Sequence, residues 1–366
     1  MRVLICGGGA IGCSLAYYLA RRGAEPVVVE STEVGGAASG KSGGFLALDW
    51  CDGSAVEPLA RRSFALHAAL AEEHGRNAVA PWGYRRMQTL QVIAGDWPGL
   101  ASCREPDTPE WLTDSAAVHS RLGDESSTAQ VDPAAFTRGL LDLAIENGGK
   151  LVTGRVTGLL ASPDGSALRG ALIDDTPLEA DAIVIALGPW SALACDWLPL
   201  PACHGLKGHS LVFRYRPPGP PTALFVAYEG AGGLRDDPEV IPRADGTTYI
   251  CGLASDEPLP LDPATVEPDP GAHDKLHAIA AGLSPALGAA ELLSRGCCFR
   301  PVTRDGLPLL GPVPGIEAAY VATGHSVWGM LNAPASGEAM AELILEGAVT
   351  RLDLTPFDPG RLPALK

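Results

Sequence analysis

The chain opens on an unbroken apolar run, Val3-Leu4-Ile5-Cys6, and passes at once into small residues, Gly7-Gly8-Gly9-Ala10-Ile11-Gly12. Residues 13–22 then carry a helical pattern, and Pro26-Val27-Val28-Val29 forms a second apolar run ending on Glu30. Apolar runs without polar alternation predict strands buried on both faces, as in a parallel sheet. The opening therefore reads as buried strand, glycine turn, helix, buried strand. Runs of the same kind return at residues 181–188 and 319–324, each ending on glycine.

Between these runs the pattern changes period. Residues 57–75 predict a helix, with Leu59, Phe64, Leu66 and Leu70 as its stripe and Gly75 as its end. Residues 83–93 predict a strand pair or one long strand, and 97–110 a proline-rich loop. Asp132-Pro133 starts a helix whose apolar side is Phe136, Leu140, Leu141 and Ile145, closed by Gly148-Gly149. Residues 151–160 read as a strand, and 167–173 with 175–178 as a hairpin. Two proline clusters within 199–221 flank an apolar segment at 210–215, and 222–228 and 247–253 add strands of a mainly antiparallel second sheet. Residues 256–270 predict a loop, 273–283 a helix, 325–330 a loop and 333–346 a last helix. Segments of α/β type open and close the chain and β-rich segments interrupt them. This predicts two interleaved domains: residues 1–50, 128–200 and 296–366 in one, 51–127 and 201–295 in the other.

Composition narrows the function classes. The 366 residues, 46% hydrophobic and 19% charged, suit a globular protein with a sizeable core. The net charge of −16 and only five lysines argue against a nucleic-acid surface. Nine cysteines without a C-x-x-C pair read as free thiols in a reducing, cytoplasmic compartment. No leader is expected, because the first strand starts at residue 3. No apolar run reaches the ~18 residues of a membrane span. No His, Cys and carboxylate cluster has metal-ligand spacing.

Candidate chemistry begins at the opening turn. Gly7, Gly9 and Gly12 supply G-x-G-x-x-G between a strand and a helix, the setting in which the helix N-terminus takes a dinucleotide pyrophosphate. Glu30, eighteen residues past Gly12, stands where a carboxylate accepts ribose hydroxyls and repels a 2′-phosphate. The small-residue stretch 35–44, with Ser39, Gly40, Lys41, Ser42, Gly43 and Gly44, suggests backbone lying close to a ligand, the alternative being a linker. Arg300, between Phe299 and Pro301, is either a clamp for a carboxylate or one partner of a structural salt bridge. His209, Tyr228, Tyr249 and His325 are candidate pocket residues. For the tyrosines and His209, ordinary packing or a backbone hydrogen bond is the alternative.

Taken in order, five stretches resemble the D-amino acid oxidase/glycine oxidase/sarcosine oxidase family of FAD-dependent oxidoreductases. They are the Gly7–Gly12 turn with Glu30, the Ser39–Gly44 stretch, Asp132-Pro133, the Ala186-Leu187-Gly188-Pro189-Trp190 end of a strand, and the segment from Arg300-Pro301 through Asp305-Gly306 to Gly324-His325. The resemblance implies a glutathione-reductase-like FAD fold of the DAO type, a Rossmann-type FAD-binding domain interleaved with a mainly antiparallel β-sheet substrate domain. It implies that Gly7, Gly9, Ala10, Ile11 and Gly12 hold the pyrophosphate, with Glu30 and Ser31 at the adenosine. Residues 39–44 would run beside the flavin, Val156 would meet the adenine, and Ala186, Gly188 and Trp190 would close over the dinucleotide. Gly324, His325, Ser326, Trp328, Gly329 and Met330 would lie at the flavin pyrimidine edge, where the last helix faces reduced flavin. Arg300 would grip a substrate carboxylate. FAD is expected to be non-covalent, a link at Cys298 being the exception found in the sarcosine oxidase branch. The activity implied is hydride transfer from an amino acid or N-alkyl amino acid to flavin N5, giving an imine, with oxygen or another electron acceptor following. Alternatives are another substrate such as a 2-hydroxy acid, or a protein that keeps FAD and acts through a partner. Trp50-Cys51-Asp52 has no counterpart in the family pattern, and the oxygen-activating lysine of monomeric sarcosine oxidases has no match. Oxidase and dehydrogenase chemistry both stay open.

Overall fold

The strand Arg2–Cys6 pairs in parallel with Glu25–Glu30 on one side and Ala182–Ile185 on the other. A six-stranded sheet grows from this centre in the order Leu309–Pro312, Ala319–Thr323, Ala182–Ile185, Arg2–Cys6, Glu25–Glu30, Lys150–Thr153. Only Leu309–Pro312 runs antiparallel to its neighbour. The computed structural model describes residues 1–74, 82–97, 100 and 108–365.

Alternation along each strand sends side chains to two different cores. Val3, Ile5, Val28 and Val184 pack under the helices Ala10–Arg21, Glu57–His74, Pro133–Glu146 and Gly329–Glu346. Leu4, Val27, Val29 and Ile183 pack on the opposite face against Leu168, Ala171 and Ile173 of a small sheet formed by Val156–Ala161, Leu168–Ile173 and Thr176–Glu179. The sheet is therefore covered on both faces, as its unbroken apolar strands predict.

The second sheet has eight strands. In order they are Leu292–Thr303, Cys203–Phe213, Thr248–Ser255, Glu239–Pro242, Thr222–Gly230, Gln88–Gly95 and Ala116–Gly123, with Leu234–Asp236 paired to Thr222–Gly230. It is mainly antiparallel, with one parallel pair where Thr222–Gly230 meets Gln88–Gly95. The helix Ala272–Leu283 covers one face through Leu276, Ile279 and Ala280. No helix among the described residues is long and apolar enough to cross a membrane.

Several elements differ from the sequence reading. Residues 83–93 resolve into Arg85–Arg86 and Gln88–Gly95, the first joining Phe45–Ala47 and Thr128–Gln130 in a short third sheet. Leu292–Thr303 forms one long strand where no strand is expected. Its paired face hides the apolar Phe299, while Ser294 and Arg295 leave no clean alternation. Of the loop expected at 97–110, residues 98–99 and 101–107 lie outside the described residues, as does the helix end expected at Gly75.

The last helix departs most. It begins at Gly329, four residues before the expected start, and carries Pro334 inside. Proline has no N–H and crowds the carbonyl four residues back, here Met330. A neighbouring helix repairs the damage. His67 donates from Nε2 to the Met330 carbonyl at 3.0 Å and the Leu331 carbonyl at 3.2 Å. Ser63 Oγ accepts the Ala335 N–H at 3.1 Å. These groups are fully buried, so unpaired carbonyls here would cost about 1–3 kcal/mol each. Burial lowers the His67 pKa from 6.5 to about 4, so His67 is neutral at pH 7.

His67→Ala should lower folding stability by roughly 2–4 kcal/mol, and Ser63→Ala by about 1 kcal/mol, read as shifts in a urea midpoint with cofactor in excess. The pH dependence has a definite sign. Unfolded His67 takes up a proton near pH 6.5 and folded His67 only near pH 4, so stability falls as pH drops through this window. The slope it contributes is at most about 1.4 kcal/mol per pH unit. In His67→Ala this part of the acid sensitivity should be missing; an unchanged slope would show that the histidine is not held neutral.

Candidate functional site

The centre strand Arg2–Cys6 has its neighbours on opposite sides contributed by different parts of the chain, so the sheet order reverses beside it. A crevice opens at the carboxyl ends of parallel strands at such a point. Here the crevice extends into a long cavity that runs from Glu30 past Gly7 and Ala186 to the face of the second sheet at Phe225, Glu239 and Tyr249.

At the first end, the turn Gly7–Gly9 leads into a helix with no side-chain cap and no acid in its first turn. Its remaining free N–H groups and positive end suit an anion. Gly7 has φ +117°, and a Cβ on Gly12 would run into the Gly7 carbonyl, so the helix packs on the strand only with glycine there. Glu30 accepts the Gly8 N–H at 2.9 Å with one oxygen and the Thr32 N–H at 2.9 Å with the other. These bonds fix the carboxylate and leave lone pairs for a sugar. Ser39 Oγ accepts the Ala10 N–H at 2.9 Å and ties the small-residue stretch to the helix start.

That stretch then presses against the second sheet. Gly44 has φ +72°, and a Cβ there would meet the Val131 carbonyl. Tyr249 donates to the Lys41 carbonyl at 3.0 Å, and Arg243 to the Ser42 carbonyl at 2.9 Å. Lys41 itself donates to the Cys297 carbonyl at 3.2 Å.

At the far end, Ser326, with φ +51°, and Trp328 lead into the uncapped last helix. His325 is buried, and its Nε2 lies 2.9 Å from Ser336 Oγ while Nδ1 has no partner. Burial lowers its pKa to about 3, so it is neutral. An orphaned nitrogen in a cavity wall, two uncapped helix ends and a positioned carboxylate fit a long dinucleotide such as FAD.

The structure brings together Gly7, Gly9, Ala10, Ile11, Glu30, Ser31, Ser39, Lys41, Ser42, Gly43 and Gly44 along this cavity. Ala186, Gly188, Trp190, His325, Ser326, Trp328, Gly329 and Met330 join them there. Gly12 stays behind the helix as packing. Gly40 instead closes a turn through its N–H to the Gly35 carbonyl at 2.8 Å. Val156 belongs to the small sheet and packs into the lower core. Gly324 takes φ +80° against the Thr303 methyl and turns the chain between the cavity residues Thr323 and His325.

Among the candidate catalytic residues, Arg300 faces the cavity with no hydrogen bond or ion pair among the described residues. Its guanidinium lies over Gly208. The salt-bridge alternative therefore has no partner. His209 borders the cavity, but both nitrogens are used. Nδ1 lies 2.9 Å from the Leu253 carbonyl, and Nε2 accepts the Asp269 N–H at 3.0 Å. It braces an irregular strand pairing and has no nitrogen left for a substrate. Tyr228 lines an adjoining pocket with Trp97 and Asp236 that shares Glu239, Cys251 and Arg300 with this cavity, and its ring packs near Gly230 and Gly282.

Residues not singled out from the sequence complete the wall. Phe45, Trp50 and Phe225 pack together, with ring centroids 4.7–5.1 Å apart, and Trp328 lies 6.2 Å from Trp50. Trp50, unmatched to any family pattern, is thus a cavity residue; its only signal was its place just after the glycine stretch. Glu239 and Cys251 also line the cavity. No cluster of metal-ligating side chains occurs among the described residues.

Comparisons agree with this architecture. The chain is 28% identical over 388 residues to an oxidoreductase of Schizosaccharomyces pombe, covering 98% of this chain and 97% of that one. It is 28% identical over 388 residues to the glycine oxidase of Geobacillus kaustophilus, covering 98% and 96%. The crystal structure of glycine oxidase from Geobacillus kaustophilus superposes with a TM-score of 0.81 at 25% identity, covering 98% of each chain. The model of the DAO family, FAD-dependent oxidoreductases, matches residues 2–343, and the chain is an enzyme belonging to that family.

Proposed function

We propose that the protein binds FAD non-covalently and oxidises a carboxylate-bearing amine, an amino acid or N-alkyl amino acid, to an imine that water hydrolyses. Arg300 carries this reading. A guanidinium that faces a cavity and has no hydrogen-bond or ion-pair partner among the described residues needs an anion to offset its desolvation. Its planar fork matches a carboxylate. The glycine oxidases among the relatives support the same substrate class.

Bound FAD would supply the hydride acceptor for the C–H beside the substrate nitrogen. The chain's own residues do the rest. The turn from Gly7 to Ile11 would hold the pyrophosphate and Glu30 the adenosine ribose. Ser39 to Gly44 would hold the flavin, with His325 and the helix start at Gly329 to stabilise its charge. Phe45, Trp50, Phe225 and Trp328 exclude water from the reacting carbon. Residues 1–50, 128–200 and 296–366 are proposed as the FAD-binding domain and 51–127 and 201–295 as the substrate domain, with two exchanges: the helix Glu57–His74 packs under the first sheet, and the strand Leu292–Thr303 belongs wholly to the second.

Anaerobic addition of an amino-acid library to the yellow protein should bleach it with at least one member, and a protein that takes up no FAD would sink the reading. Arg300→Ala and Arg300→Lys should keep FAD but lose roughly 30- to 1000-fold in kcat/KM on a carboxylate-bearing amine, about 2–4 kcal/mol. An uncharged ester analogue should change far less; equal losses on both would remove Arg300 as the clamp.

Two further outcomes concern the cofactor. Gly9→Val places a branched side chain at the pyrophosphate, so the variant should purify colourless and melt earlier, because bound cofactor stabilises the fold. Full yellow colour would contradict the placement. Cys298 lines the cavity, and burial pushes its thiol up to about 11. Acid precipitation should leave the flavin in the supernatant, whereas a yellow pellet would establish a covalent link.

A further inference from the structure

Glu239 is the carboxylate that the reading above leaves without a role. It begins the strand Glu239–Pro242, in register with Phe225 on one side and Cys251 on the other. Alternation places Val240 in the core under the helix Ala272–Leu283 and turns Glu239 to the cavity face, beside Ile241, Tyr249 and Cys251. Its immediate neighbours on that face are mostly apolar, so a carboxylate among them needs a reason.

Its surroundings do not neutralise it. Among the described residues its one side-chain hydrogen-bond partner is the Cys251 thiol, a weak donor 3.7 Å from Oε2. Asp236, an acid of the adjoining pocket, is tied to its own loop: both its oxygens accept the Leu253 N–H, at 3.1 and 3.0 Å. Glu30 is committed at the opposite end of the cavity. Arg300 faces the same cavity as Glu239, yet the two form no ion pair. Burial raises the Glu239 pKa above the ordinary glutamate range, and the positive field of Arg300 offsets part of that. The titratable groups facing it are Cys251 and Tyr249 from the neighbouring strand, Arg300 from Leu292–Thr303, and Asp236 before its own strand; the strand on its other side presents Phe225.

A positive and a negative side chain that share a cavity without pairing match a molecule carrying both charges. Resting on the amine-oxidation reading, we propose that Glu239 binds the substrate's ammonium while Arg300 grips its carboxylate, and that Glu239 then takes one ammonium proton. In this step an N–H bond breaks and an O–H bond forms on the Glu239 carboxylate. The electron pair stays on nitrogen, which becomes the neutral amine that hydride loss requires. The site thereby selects primary and secondary amino acids over 2-hydroxy acids and over carboxylic acids lacking nitrogen. A half-buried carboxylate whose pKa is raised by desolvation is well suited to accept that proton.

The test uses the FAD-loaded full chain and two ligand pairs that cannot be oxidised at the α-carbon for want of a C–H: 2-aminoisobutyrate against 2-hydroxyisobutyrate, and α-methylphenylalanine against its 2-hydroxy counterpart. Binding is read by calorimetry and by perturbation of the flavin spectrum. Wild type should prefer the amine member of at least one pair by about tenfold or more. Glu239→Gln should erase the preference and leave the hydroxy acid within about twofold, Glu239→Asp should restore part of it, and Arg300→Ala should weaken both members. Flavin content of each variant separates these effects from misfolding. For oxidisable amino acids, the acid limb of kcat/KM that reports the Glu239 carboxylate should be lost in Glu239→Gln, leaving only the limb set by the substrate's own ammonium. A preserved preference in Glu239→Gln, an equal loss on both members, or no binding of either pair by wild type overturns the proposal. Amine preference that depends on Glu239 in a protein whose flavin no amine bleaches would overturn the oxidation reading while leaving Glu239 as the amine-binding group.

Discussion

Everything in this protein hangs on the parallel pairing of Arg2–Cys6 with two strands that reach it from different parts of the chain. Glu25–Glu30 arrives locally through the first helix. Ala182–Ile185 arrives after about 150 intervening residues, bringing Ala186 against the Gly7 turn. The crevice exists because these two neighbours diverge from one strand end. The later return of Ala319–Thr323 adds His325 and the last helix to the same rim.

The second sheet closes the cavity rather than merely adjoining it. Its apolar outer face packs on the helix Ala272–Leu283, which leaves the inner face to meet the small-residue stretch of the first domain. Backbone contact between the two requires that stretch to lack side chains, since a Cβ on Gly43 would strike Ile241 and Tyr249. The run of glycines is therefore shaped from both sides: by protein on one and by the cavity on the other.

The start of the last helix is held by a trade that local rules would forbid. Pro334 removes a hydrogen bond, and His67 and Ser63 restore the balance from a different helix. The bond between His67 and the Met330 carbonyl also fixes the backbone of a residue that lines the cavity. Stability and site geometry are thus joined at one buried histidine, neutral because burial disfavours its charge.

The amino-acid pattern alone determined the buried parallel strands, the glycine turn with Glu30, the interleaving of α/β with β-rich segments and the small-residue approach to a ligand, because each of these is written in local periodicity or in residue size. Arg300 was visible as a charge in an apolar setting. Tertiary structure alone decided that the Arg300 side chain has no hydrogen-bond or ion-pair partner among the described residues, that His209 has both nitrogens occupied and that Tyr228 lines the adjoining pocket that Arg300 and Glu239 also border. It also decided that Trp50, Phe225 and Glu239 meet at one wall, and that Pro334 lies inside a helix. Those outcomes depend on strand register and on groups far apart in the chain. A one-residue change of register would turn Glu239 into the opposite core, and nothing in the neighbouring sequence records which register is chosen.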